Sequence, residues 1–138
     1  MKIFANLIDH GIEIFSSEKY DYVTNSLEPS FPHGLDFQIF SFKTLENVYT
    51  NALLESEKEH VIPFIINNKE KFRIFNIKNN KNFYNFRITL DWIEDLEFMQ
   101  KIVSKIQTRP IVMNDIISLL NKNPKLTKIN SNRIVSNP

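Results

Sequence analysis

The chain has 138 residues, 42% of them hydrophobic and 12% aromatic, and a formal net charge of +1. That length and apolar content fit one domain with its own core and exclude a disordered tail, while the near-neutral charge argues against a nucleic-acid or membrane partner held by bulk charge. The absence of cysteine removes disulfides, thiolate nucleophiles and cysteine-based zinc sites.

In chain order, "MKIFANLIDHGIEIF" lacks the unbroken apolar stretch and small-residue cleavage site of a signal peptide, and no later run is long enough to span a bilayer. A cytoplasmic protein without a membrane partner is expected. "ANLIDHGIEIFSS" places Leu7, Ile8, Ile12, Ile14 and Phe15 near helical spacing and predicts a helix. "YDYVTN" is aromatic and β-branched and predicts a short strand. Pro29 and Pro32 break the chain before Gly34. From Leu35 to Ile39 apolar and polar residues alternate strictly, which predicts a strand with one buried face and with Asp36 and Gln38 on the other. Leu45, Val48, Tyr49, Ala52 and Leu53 then mark an amphipathic helix.

Val61–Ile66 is apolar nearly all round, and Pro63 suits the first turn of a short helix there. "KFRIFNI" and "FRITL" read as strands joined by the polar turn "KNNKN". "WIEDLEFMQKIVSKI" carries acids at its start and lysines at its end, as the helix dipole favours, with Leu96, Met99, Val103 and Ile106 as its expected buried stripe. A last helix is predicted over "NDIISLLNKN", with Asn114 as its N-cap and Pro124 just past its end. Beyond Ile129 the chain reads as a frayed polar tail, residues 130–138. Helices alternate with strands, so the fold class is α/β, a mixed sheet flanked by helices.

Three groups of residues bear on chemistry. Arg87, Thr89 and Asp91 share parity and would project from one face of a strand whose carboxyl end is where open α/β sheets bind ligands. A carboxylate at Asp91 suits a magnesium ion, yet Asp91 followed by Glu94 also resembles a capping box; the two roles are not exclusive. Glu59 and His60 sit at a helix start, where a general base, a phosphate contact or a plain terminus are all open. Lys69, Lys71, Arg73, Lys78, Lys81 and Arg87 interleave with aromatics, a pattern that serves single-stranded nucleic acid or, as favoured here, two strands burying their rings. The histidines follow no metal-ligand spacing. Gly11 and Gly34 are the only glycines, so no phosphate-cradling loop is present.

The stretches "YDYVTN", "FPHGLDFQIFSFKTLENVY", "SEKEHVIPFIINNKEKFRIFNI" and "FRITLDWIEDLEFMQKI" are together more specific than any one of them. In this order they resemble the cytidylyltransferase family that makes CMP-activated sugars, in particular the branch assigned to spore-coat polysaccharide biosynthesis. The resemblance spans about Leu7 to Ile129 and covers only the C-terminal part of the family's Rossmann-like nucleotidyltransferase fold. It implies a partial domain over residues 1–129, the sugar-side and dimerisation half. It implies CTP and a sugar as substrates and magnesium as cofactor. A homodimer is implied, as is a separate N-terminal half with the CTP-gripping loop and a second metal-binding acid. By resemblance, Asp91 matches a metal-binding aspartate and Arg87 an arginine facing sugar or phosphate. Glu59 and His60 match an Arg-Glu-His segment in which Lys58 replaces the arginine. Gly34 and Asp36 match a Pro-x-Gly-Leu-Asp segment beside the sugar, and Gln38 stands where glutamate is usual. The implied role is that of a fragment or subunit of such an enzyme, inactive alone. The alternative is a non-catalytic interaction module derived from the fold.

Overall fold

The computed structural model describes residues 2–133. The chain divides into two compact units, one formed by residues up to 8, 29–36 and from 78 on, the other by residues 9–28 and 37–77. Helix α1, Lys2–Ser16, contributes to both. Among the described residues no helix is long and apolar enough to cross a membrane.

The second of these, the sheet unit, holds β1 (Tyr22–Thr24), β2 (Gln38–Phe40) and β3 (Ile74–Asn76) in the order β2-β1-β3. β1 pairs antiparallel with β2 and parallel with β3, and Val23 faces both Ile39 and Phe75. As the central strand, β1 is buried at all three residues. Helices α2 (Phe42–Asn51), α3 (Glu55–Glu59) and α4 (Val61–Asn67) follow β2. Tyr22, Val48, Ala52, Phe64 and Ile65 form this unit's core, with Phe40, Phe72 and Ile74 packed on it. Pro63 is the third residue of α4, where its missing N–H breaks no helical bond. Asp21 accepts the Nε, Nη2 and backbone N–H of Arg73 at 2.8–3.0 Å, and that guanidinium holds the Asp21 carboxyl below its ordinary pKa. At Gly11 an added Cβ would meet Ile39 Cδ1 and Phe37 Cε2 at 2.8 Å, so this face of α1 lies too close to β2 for a side chain.

The strand expected over Leu35–Ile39 starts only at Gln38. Side chains explain the delay. The Phe37 N–H donates to Asn25 Oδ1 (2.9 Å), and the Phe37 carbonyl accepts from Thr24 Oγ1 (2.8 Å), so this peptide is satisfied outside the ladder. The stripe expected on α2 is also half right. Val48 and Ala52 are buried, but Leu45, Tyr49 and Leu53 are exposed, the last two at 77% and 87%.

The other, helical unit contains α5 (Ile93–Lys105) and α6 (Met113–Lys122), then two 3-10 turns, Pro124–Ile129 and Ser131–Arg133. Its core is Phe98, Ile102, Ile106, Leu120 and Leu126. The buried stripe of α5 matches the expected one in part: Ile106 is buried and Met99 packs on the core, but Asp95, Phe98 and Ile102 are the other buried positions, while Leu96 and Val103 are 41% and 50% exposed. Both stripes are apolar at helical spacing, and only the packing of α6 and the 3-10 turns decides between them. Asn114 is not the α6 cap. Val112 holds that position, and its N–H donates to Asp115 Oδ2 at 3.1 Å. The segment "FRITL" makes no ladder: His33 N–H donates to Phe86 O (2.9 Å) and Ile88 N–H to His33 O (2.7 Å), giving one parallel bridge between His33 and Arg87. Pro32 has no N–H to extend it, and Gly34 turns the chain away. The expected fraying is not seen at residues 130–133, since Asn130 is 2% exposed and Ser131–Arg133 is a helical turn. Residues 134–138 of that expected tail lie outside the described residues.

The two candidate stripes of α5 make different demands on stability. Ile102→Ala is expected to cost about 2–5 kcal/mol by emptying a packed position, and Val103→Ala less than about 1 kcal/mol. Urea unfolding of the two variants checks this; equal losses would return the stripe to the expected face.

Candidate functional site

Two segments of the helical unit bring charged residues together. The first is the turn at Gly34, whose φ is +98°. A Cβ there would lie 2.5 Å from the Ile88 carbonyl oxygen and 2.6 Å from Thr89 Cγ2. Glycine is required on both counts, since the backbone is left-handed and the chain presses on residues 88–89. Asp36 is exposed and only grazes this turn, its Oδ2 accepting the Gly34 N–H at 3.4 Å.

The second segment runs from Arg87 into α5. Arg87 is 3% exposed and Asp95 is fully buried. Arg87 Nε donates to Asp95 Oδ1 and Nη2 to Oδ2, both at 2.9 Å, a two-point fork. Nη2 also donates to Asp91 Oδ2 at 2.8 Å, although the Asp91 side chain is 63% exposed. Asn130 Nδ2 adds a bond to Asp95 Oδ1 (2.9 Å) and one to the Arg87 carbonyl (3.2 Å). Thr89 Oγ1 and the N–H groups of Asp91 and Trp92 complete the shell of Asp95 Oδ2, at 3.3, 3.1 and 3.2 Å. The Arg87 guanidinium, opposed by burial and assisted by the other donors, holds the Asp95 carboxyl far below the usual carboxylate range. The same bonds raise the Arg87 pKa.

Asp91 is thus not the N-cap expected from its spacing to Glu94. Trp92 takes that position, and Asp95 receives the N–H groups that open α5. Arg87 does not present an open fork to a ligand: Nε and Nη2 are committed to carboxylates. Its Nη1 is buried and has no hydrogen-bond partner among the described residues. The acids do not fit a divalent cation. Both Asp95 oxygens are saturated by donors, Asp91 is engaged by a cation of the chain itself, and among the described residues no group of three acids or histidines gathers anywhere.

The remaining residues singled out in the sequence belong to the sheet unit. Gln38 opens β2 and is exposed. Glu59 ends α3, and His60 separates α3 from α4 without capping either through its side chain. Their side chains are 3.9 Å apart and largely in solvent. Sequence reasoning missed Asp95 and Asn130. For Asp95 a signal existed: it heads the 95-98-102-106 stripe, and an acid on a buried helix face demands a buried partner. For Asn130 there was none, since its partners lie 35 and 43 residues away.

No family model matches the chain. It is 30% identical over 128 residues to an uncharacterised protein of Methanocaldococcus jannaschii, covering 91% of this chain and 51% of that protein. It is 28% identical over 109 residues to the spore coat polysaccharide biosynthesis protein SpsF of Bacillus subtilis, covering 76% and 43% respectively. A solved cytidylyltransferase from Leptospira borgpetersenii serovar Hardjo-bovis superposes with a TM-score of 0.82 at 26% sequence identity, over 96% of this chain and 55% of that one. Fold and comparisons together define part of an α/β nucleotidyltransferase. More particularly, the chain matches about half of a solved cytidylyltransferase and is a distant homologue of SpsF. It spans about half the length of the relatives it matches.

Two measurements test this geometry. Gly34→Val is expected to destabilise by more than about 2 kcal/mol, and His33→Ala, which leaves the backbone bridge in place, by about 1 kcal/mol or less; equal melting temperatures would refute the assignment. For Asp95, the folded pKa lies below the unfolded value near 3.8. The unfolded chain therefore binds the proton first as pH falls, so the pair's stabilisation is full above about pH 5 and is lost progressively below about pH 4. Asp95→Asn should be markedly less stable than the native chain at pH 7, and the gap should close on acidification; a gap independent of pH would contradict the pair.

Proposed function

We propose that this chain is the sugar-side and dimerisation part of a cytidylyltransferase that makes CMP-activated sugars from CTP for surface polysaccharide. It works in the cytoplasm, as a fragment or subunit, together with an N-terminal half that binds CTP. The observation that carries this reading is the pair of coverages: 96% of this chain superposes on a solved cytidylyltransferase, but on only 55% of it. The name of SpsF supports polysaccharide biosynthesis as the setting. In this reading a sugar hydroxyl attacks the α-phosphorus of CTP. The bond from that phosphorus to the bridging oxygen breaks, pyrophosphate leaves, and the hydroxyl proton passes to solvent. By resemblance, Asp36 in the helical unit and, separately, Gln38, Glu59 and His60 in the sheet unit are candidates for sugar contact, and Arg87 has only Nη1 to offer. No step is assigned to a divalent ion on this chain, because Asp95 is saturated by hydrogen-bond donors and Asp91 is engaged by Arg87. The test is pyrophosphate release from CTP, scanned over nonulosonic and related sugars, with and without a CTP-binding N-terminal half. Turnover only with both supports the reading; turnover by the chain alone, or by neither arrangement, opposes it.

A second reading is a non-catalytic interaction module. The closed Arg87 pair favours it, and so does an outward face on α2 where Phe42 (78% exposed), Tyr49 (77%) and, just beyond, Leu53 (87%) follow one another at helical spacing. Exposed apolar groups in such a row suit a self-complementary contact with a second copy. Both readings predict self-association. Sedimentation should show a dimer at micromolar concentration, converted to monomer by Tyr49→Glu combined with Leu53→Asp. A native chain that sediments as a monomer would remove the dimer from both readings.

A further inference from the structure

We propose that Arg87 is the resident cation of the helical unit's acidic pair: its guanidinium takes the place between Asp91 and Asp95 that a divalent ion would need, and so closes this site to metal. The two acids are four residues apart, and one nitrogen, Nη2, touches both carboxylates, at 2.8 Å to Asp91 and 2.9 Å to Asp95. Their exposures differ completely, with the Asp95 side chain at 0% and that of Asp91 at 63%. The two carboxylates therefore have separate duties. Asp95 anchors the guanidinium with two bonds, and Asn130 and backbone N–H groups fix Asp95 in turn. Asp91 is the exchangeable arm, in water and held by a single charge-assisted bond.

Two physical facts make the closure effective. A metal reaching for Asp91 approaches a fixed positive charge about 3 Å from the oxygen it needs, and that charge is not neutralised by deprotonation at any ordinary pH. A small divalent ion gives up its water reluctantly, and one carboxylate already engaged by arginine repays little of that cost. Asp95 supplies no second ligand while six donors cover its oxygens. Arg87 here is a positioning residue, and this role holds whether or not the chain takes part in nucleotidyl transfer.

The experiment is a manganese titration of the full chain, read from the amplitude of the free-ion electron spin resonance signal. Melting temperature with and without magnesium is read in parallel. The native chain should show no site tighter than the millimolar range and no magnesium-dependent rise in melting temperature. Arg87→Gln removes the charge and keeps a donor for Asp95; it should gain a manganese site at least about tenfold tighter and melt higher with magnesium. Adding Asp91→Asn to Arg87→Gln should abolish both gains. Arg87→Lys serves if the glutamine variant does not fold: Nζ ends one bond short of the Nη2 position and stays with Asp95, so Asp91 is released while the charge remains, and a smaller gain is expected. A micromolar manganese site in the native chain that Asp91→Asn removes would overturn the proposal. So would a folded Arg87 variant that binds no more tightly than the native chain.

Discussion

The fork between Arg87 and Asp95 is the constraint around which the helical unit is arranged. It joins three stretches that are remote in sequence. Arg87 belongs to the segment bridged to His33, Asp95 to the first turn of α5, and Asn130 to the turn that follows α6. Each of these stretches has a second reason to be where it is, in the Gly34 turn, in the Phe98 and Ile102 packing, and in the Leu126 packing. A buried ion pair is not by itself evidence of stability, because dehydrating two charges is expensive. Here that cost is offset because the carboxylate is fully bonded, leaving Arg87 Nη1 as the exception. Breaking such a pair from one side costs about 3–5 kcal/mol, a large share of a domain's total stability.

Part of this was legible in the sequence. Patterns that depend on neighbouring residues held: β1 and β3 at "YDYVTN" and "KFRIFNI", the short helix at Pro63, the helices at residues 42–51 and 93–105, and the glycine demanded before "LDFQIF". What failed depended on partners distant in the chain. The α5 stripe was ambiguous because residues 96 and 103 are as apolar as 98 and 102. Asp91 looked like a cap because capping spacing is local, whereas Trp92 is the N-cap and Asp95, anchored by Arg87 and Asn130, accepts its N–H. "FRITL" looked like a strand because its alternation is real; it lacks only a partner able to continue past Pro32 and Gly34. The family resemblance was legible in the order of four stretches, and the superposition at a TM-score of 0.82 bears it out.

Function follows the same division. The chain carries the architecture of about half a cytidylyltransferase, and its polar candidates fall into two groups, one in each compact unit. Gly34, Asp36, Arg87 and Asp91 are gathered by the Gly34 turn and the Arg87 network. Gln38, Glu59 and His60 stand on the sheet unit as exposed side chains with few bonds. That contrast fits a protein whose helical unit is fixed by internal electrostatics and whose sheet unit offers open polar surface and an apolar helix face to partners.

The central claim, that Arg87 is locked on Asp95 inside the folded chain, is tested most directly by nuclear magnetic resonance of the Arg87 side chain. A guanidinium bonded through Nε to a dry carboxylate exchanges its Nε proton only when the surrounding unit opens. A resolved Arg87 Nε–H signal is expected, exchanging with solvent orders of magnitude more slowly than that of the free side chain. It should also show a through-space contact to the Thr89 or Asn130 side chain. An Arg87 Nε–H that exchanges as fast as that of an exposed arginine would contradict the account.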